Sequence, residues 1–290
     1  MERTVAADVL LQAQLARELA GRLCAPTGCA WYHGTWPTLR ALGLVATPHR
    51  HAALFDRVLG AAAAAGRTDV LVCGAADAAM VEIVLAAYTS AGVVPRVTVL
   101  DRCATPVRVA TDAAARAGVT VEPWVADVLH ADRDGAFDVI CTHGLLPLQP
   151  ADVRPQVIAR WAALLRPGGV VVTTSSLAGP DVADPSVYSV EAVEAFAERA
   201  ASAFAAADPD VAAALPFTTE SDIADAARQW ASRAVVHPVR DAAALAAPFD
   251  AAGFDLDVDE RTIEGPVGRS ASGPWAARST RYAELTATKR

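Results

Sequence analysis

The chain has 290 residues, 53% of them hydrophobic, and a formal net charge of −8. That length and apolar content suffice for one large α/β core with a helical cover, and the acidic balance argues against nucleic acid as a partner, because phosphate binding needs a basic face. Lys289 is the single lysine; without a phosphate-loop lysine or an interior amine for a Schiff base, ATP hydrolysis and pyridoxal chemistry are disfavoured.

In chain order, residues 4–24 read as an amphipathic helix. Leu11, Leu15, Leu19 and Leu23 recur every four positions, and Thr4 is a candidate N-cap. The expected apolar face is that leucine stripe. Next comes an aromatic loop, Trp31-Tyr32-His33-Gly34-Thr35-Trp36-Pro37, then short helices expected at 37–43 and 48–65. Residues 1–65 thus read as a helical cap ahead of a core that occupies 66–290.

From Thr68 strands and helices alternate. Strands are expected at 69–73, 96–100, 119–124, 137–141 and 170–174, with helices at 78–91, 105–117 and 151–165. Such alternation implies a parallel sheet covered on both faces. The pattern breaks over 179–235, which holds helical pieces but no clear strand and reads as an inserted lid; Ser189 is a candidate N-cap there. A helix at 240–252 closed by Gly253, a strand at 254–263 and a last strand at 281–288 complete the core. A Gly/Ser/Pro-rich hairpin connection is expected from Glu264 to Ser279.

The five cysteines, Cys24, Cys29, Cys73, Cys103 and Cys141, form no C-x-x-C pair. They read as reduced, semi-buried thiols of a cytoplasmic protein. Cys24 and Cys29, though loosely spaced, could form a disulfide or bind a metal, and His49-Arg50-His51 resembles a metal pair only superficially. Even so, no metal is expected. The amino-terminal residues lack the apolar segment of a secretory signal, and Ala61–Ala65 is too short to span a membrane.

The most informative stretch is 70–101. The apolar strand Val70-Leu71-Val72-Cys73 ends in a turn of tiny residues, Gly74-Ala75-Ala76-Asp77-Ala78; a helix follows, and a second strand closes on Asp101. A tiny turn lets a ligand approach the backbone, the helix start offers free N–H groups, and a strand-end carboxylate can accept from both hydroxyls of a ribose. An adenosine-type cofactor is expected.

Together these pieces resemble the class I S-adenosylmethionine-dependent methyltransferases. The Gly74 turn, Asp101, Ala126-Asp127 after strand 3, the run Leu164-Leu165-Arg166-Pro167-Gly168-Gly169-Val170 and the late Asp250-Ala251-Ala252-Gly253-Phe254 follow that family's order over about 66–178 and 240–290. The resemblance implies a Rossmann-like, doubly wound, mostly parallel seven-stranded sheet whose last strand is antiparallel. The departure is in the glycine-rich turn: Val72 stands where the family has an acid, and Ala76 and Ala78 stand at later glycine positions.

The resemblance also implies S-adenosyl-L-methionine as cofactor. Gly74, Ala75 and Ala76 would face its methionine part, with Asp77 either capping the helix or meeting the amino group. Asp101 would hold the ribose, Arg102 and Cys103 would flank the adenine, and Asp127 would accept from the adenine amino group. Thr142 joins this set at the end of strand 4. His143, next in the chain, is the first candidate general base, and His33 the second. Trp31, Tyr32 and Trp36 are candidate substrate-lining residues that would close over a small, fairly apolar substrate or pack in a homodimer interface. Methyl transfer is the leading expectation, in secondary metabolism. The alternative is a protein of the same fold with a non-methylating role, as a lyase, cyclase or non-catalytic subunit, motivated by the eroded turn. An NAD-dependent oxidoreductase fits less well, since Gly-x-Gly-x-x-Gly is absent. Substrate and acceptor atom stay open.

Overall fold

The computed structural model describes residues 2–264 and 279–290. The expected Gly/Ser/Pro-rich connection therefore lies, apart from its two ends, outside the described residues.

The first helices are α1 (Glu2–Leu23), α2 (Ala30–His33), α3 (Trp36–Ala41) and, after a 3-10 turn at Pro48–His51, α4 (Ala52–Ala64). Helix α1 starts at Glu2, so Thr4 lies inside it rather than capping it. Its buried face also differs from the expected leucine stripe. Gln12, Ala13, Ala16, Ala20 and the following Cys24 are buried, whereas Leu11 is 46% exposed. Alanines let α1 lie close on its neighbours, and the leucines flank that seam instead of filling it. Gly34 marks how close the approach is: an added Cβ would stand 3.1 Å from the Ala20 Cβ and 2.8 Å from the Ala30 carbonyl oxygen.

The alternating core follows as β1 (Asp69–Cys73), α5 (Ala79–Ser90), β2 (Arg96–Asp101), α6 (Ala104–Arg116), β3 (Glu122–Val125), β4 (Phe137–Cys141), α7 (Arg154–Leu164) and β5 (Leu165–Leu177). Strand β3 is shorter and later than expected. Strand β5 is longer at both ends: Leu165 already pairs with Phe137 before the register shifts, and Gly168 takes φ +72° in the turn.

The segment after β5 holds β6 (Ser186–Val187), α8 (Val190–Ala205), α9 (Pro209–Ala214), α10 (Glu220–Arg233) and β7 (Val235–Val236). Strands β6 and β7 pair antiparallel, a tie that the sequence did not announce. Ser189 caps α8 by accepting from the Ala192 N–H, and Thr219 with Asp222 forms a reciprocal capping box on α10. The chain closes with α11 (Ala242–Ala251), β8 (Phe254–Glu264) and β9 (Ser279–Lys289).

The seven-stranded sheet has the order β3-β2-β1-β4-β5-β9-β8. Strands β1 to β5 pair in parallel, and β9 runs antiparallel to both β5 and β8. Successive strand residues face opposite sides. Val70, Val72, Val97, Val99 and Val139 enter the cluster beneath α4, α5 and α6; Leu71, Cys73, Leu100 and Ile140 enter the one that contains Trp161 of α7 and Phe249 of α11. Both faces are dry, as the unbroken apolar strands require.

A third apolar cluster stands apart from the sheet. Leu39 and Val45 from the amino-terminal segment meet Val193, Phe196, Ile223 and Trp230 of α8 and α10. The cap and the insertion thus cover the core as partners. Buried Arg154, at the start of α7, helps to fasten the insertion: its guanidinium donates to the carbonyls of Leu146, Gln149, His237 and Pro238.

Candidate functional site

The strands β1, β2 and β4 end together, and the expected cofactor residues gather at those ends. Gly74 turns the chain at φ +76°, where an added Cβ would press on the Leu145 side chain at 3.1 Å. Here glycine is required. The later glycine position at Ala78 has φ −83°, a conformation any residue adopts, so its methyl brings no backbone strain.

The Asp101 carboxylate spans the turn and the next loop. One oxygen accepts from the Ala75 N–H at 3.0 Å and the other from the Cys103 N–H at 2.8 Å. Burial raises its pKa above the usual carboxylate range, opposed by the charge of His33 and by these two N–H groups. Each oxygen keeps a further lone pair for a hydroxyl. Arg102 is exposed beside it. Asp127 is exposed and accepts from the Leu129 N–H, so one of its oxygens already caps a 3-10 turn.

Asp77 is committed elsewhere. It accepts from the Ala79 N–H at 2.8 Å and pairs with Arg40 at 3.1 Å. Asp77 lies one residue before the N-cap, Ala78, and its bond to the Ala79 N–H closes the turn that leads into α5. Arg40, which sequence reasoning missed, also pairs with Glu82 at 2.8 Å. Its guanidinium pKa is raised because the charges of Asp77 and Glu82 outweigh the opposing effect of burial. Gln12 of α1 completes this buried network, accepting from the Ala78 N–H and donating to Glu82.

Beyond β4, His143 is bonded through Nδ1 to the Thr174 hydroxyl at 2.6 Å. Burial, reinforced by the charges of His51, His49 and Arg50, pushes its pKa down to about 3, so it is neutral at ordinary pH. Its ring lies 5.3 Å from that of His51. His51 bonds through Nδ1 to Glu284 of β9 at 2.8 Å, both side chains being buried. Burial also lowers the His51 pKa, against the raising effect of Glu284. Among the described residues His51 Nε2 and Thr142 Oγ1 are buried without a hydrogen-bond partner, and such groups are normally satisfied by a ligand or water. The His51–Glu284 pair joins residues 233 positions apart, a separation no local motif encodes.

The aromatic loop packs against the cluster shared by the amino-terminal segment and the insertion. Tyr32 stacks on Trp36 (5.3 Å) and on Trp230 of α10 (6.3 Å), and Phe196 reaches Trp230 at 5.4 Å. Burial, then the charges of Asp77 and Asp101, raise the Tyr32 phenol pKa. Trp31, Tyr32 and Trp36 are each partly buried within one chain.

His33 has a different setting from the one expected of a base. It is buried, with Nδ1 3.3 Å from Cys29 Sγ and 3.7 Å from Cys24 Sγ. Cys103, expected to flank adenine, is buried there too, its sulfur 3.4 Å from that of Cys24. Burial lowers the His33 pKa, but hydrogen bonds to Cys103, Cys24 and Cys29 outweigh it and raise the value. Cys24, Cys29, His33 and Cys103 thus lie together, a set of potential ligands that the spacing of Cys24 and Cys29 alone does not reveal.

Two open clefts lie elsewhere, at the amino ends of the strands. One is lined by Thr111, Ala115 and Val121, the other by Asp69, Arg96, Glu122 and Arg133. Neither contains a residue of the assemblies above.

Residues 70–169 match the family model described as "Methyltransferase domain". Solved structures similar to the chain include the Burkholderia thailandensis 1,6-didemethyltoxoflavin-N1-methyltransferase (18% identity, 85% of this chain and 92% of that one, TM-score 0.47). TehB from Haemophilus influenzae is another (11%, 81% and 62%, TM-score 0.48), as is the [4+2]-cyclase SpnF (17%, 81% and 80%, TM-score 0.46). No curated protein matches the chain. No helix among the described residues is long and apolar enough to cross a membrane.

Proposed function

We propose that the protein transfers a methyl group from S-adenosylmethionine to a small, fairly apolar acceptor enclosed beneath the cap and insertion, as in secondary metabolism. The observation that carries this is the Asp101 carboxylate, bonded to the Ala75 N–H of the Gly74 turn and still able to accept from a ribose. The Ala78 backbone removes one reason to expect a non-methylating role, since the alanine fits where a glycine was anticipated. The five free cysteines, all buried, fit a reducing cytoplasmic compartment.

When bound, the cofactor would supply a methyl on a sulfonium, whose neutral thioether is an excellent leaving group. What remains for the chain is to hold the acceptor in line with it and to take the acceptor's proton. Asp101 orients the ribose, and Tyr32, Trp36 and Trp31 supply flat apolar walls. His51 is the preferred base: Glu284 on Nδ1 fixes the ring and stabilises the imidazolium that forms once Nε2 accepts a proton. His143, held neutral beside it, orients the acceptor through the ring nitrogen not used by Thr174. His33 is not assigned a role in proton transfer.

Isothermal titration with S-adenosylmethionine, S-adenosylhomocysteine and NAD tests the cofactor. Binding of both adenosyl compounds and not of NAD is expected; binding of NAD alone would refute the proposal.

A further inference from the structure

The cluster behind the cofactor loop has the composition of a closed metal site. Cys24 follows the last residue of α1, Cys29 and His33 bracket α2, and Cys103 precedes α6. One ligand atom from each lies within 4.8 Å of all the others, and all four residues are buried. We infer that Cys24, Cys29, His33 (through Nδ1) and Cys103 bind one structural zinc ion that bolts the amino-terminal cap to the loop after Asp101.

The distances suit that ion. Tetrahedral zinc with sulfur at about 2.3 Å and nitrogen at about 2.0 Å requires S···S near 3.8 Å and S···N near 3.6 Å. The Cys24–Cys103 sulfurs are 3.4 Å apart, and His33 Nδ1 lies 3.3 and 3.7 Å from Cys29 and Cys24. Small adjustments of these four side chains would admit the ion. Soft thiolates with one imidazole favour zinc over magnesium or calcium, and four protein ligands leave no open position for catalysis. The sulfurs also have supporting hydroxyls: Thr105 Oγ1 lies 3.1 Å from Cys24 and Thr27 Oγ1 2.7 Å from Cys29, the kind of outer partners that stabilise bound thiolates.

The arrangement is hard to explain as simple packing. Three thiols and an imidazole converge where small apolar residues would fill the space, and a disulfide would use only two of the four. Its place gives the metal a consequence. The Cys103 N–H is one of the two donors to Asp101, so fixing Cys103 fixes the carboxylate that receives the ribose.

The test is metal analysis of the whole chain, produced without a histidine tag or chelator and with zinc in the medium. About one zinc per chain is expected by plasma mass spectrometry, and replacing it with Co2+ should give the visible bands of tetrahedral thiolate-bound cobalt. C29S and C103S should each lose the metal and the cobalt spectrum. Because C103S could fail to fold, the wild-type chain is also melted with and without a zinc chelator, and a lower midpoint with chelator is expected. A folded wild-type chain that holds no zinc and gives no cobalt bands would overturn the inference, as would a Cys24–Cys103 disulfide found by peptide mass spectrometry. None of these readouts depends on methyl transfer.

Discussion

The two halves of the candidate site are built from different materials. On the cofactor side, Gly74, Ala75 and Asp101 act through a turn, backbone N–H groups and one carboxylate, all within 28 residues of one βαβ unit. On the acceptor side, His51 comes from the cap, His143 from the loop after β4 and Glu284 from the antiparallel strand β9. The first half needs small residues, a correct backbone and one carboxylate. The second needs particular side chains brought from three remote parts of the chain. One fold can therefore keep its cofactor half while the acceptor half changes, and substitutions should separate the two.

The sharpest separation is expected at His51. His51→Ala should lower kcat by roughly 10²–10⁴-fold with S-adenosylhomocysteine affinity unchanged. Glu284→Gln should lower kcat less and shift the acid limb of the rate profile. A larger loss in His143→Ala than in His51→Ala would exchange their roles. Arg40 tests the buried network behind the Gly74 turn. Arg40→Ala leaves Asp77 and Glu82 without their buried partner and should destabilise the fold by about 3 kcal/mol, read from urea unfolding; a loss of activity at full stability would instead place Arg40 on a ligand.

Asp101→Ala should weaken S-adenosylmethionine binding at least about tenfold, as expected for loss of hydrogen bonds to a charged group worth about 1.5–3 kcal/mol, with the fold retained. An unchanged dissociation constant would put the ribose elsewhere. A further expectation concerns stability against pH. His143 is pushed down to about 3 in the fold, whereas an unfolded histidine titrates near 6.5 (roughly). Between those values the unfolded chain binds the extra proton, so stability should fall as pH drops through that window and be fully present above it. Unfolding free energies at successive pH values check the sign, and His143→Asn should flatten the slope.

The core was legible because its strands carry unbroken apolar runs and its turns carry Gly74, Gly168 and Gly253. Asp101 and the Gly74 turn were legible for the same reason, lying within one local unit. The cover was not. The leucine stripe of α1 suggested the wrong face because burial there follows small side chains that permit close approach, and small residues leave a weak periodic signal. His51 was passed over because its partner Glu284 lies at the far end of the chain, and the Cys24–Cys29 pair because Cys103 arrives from beyond the first core helix.

The Arg154 clamp has a bearing on variation. All four oxygens it contacts belong to the main chain, two in the loop after His143 and two at the exit from the insertion. A guanidinium that reads only peptide carbonyls is indifferent to which side chains those residues carry. Both segments can therefore mutate while the fastening between them persists, leaving the walls of the enclosure free to diversify toward new molecules without a new latch having to evolve each time.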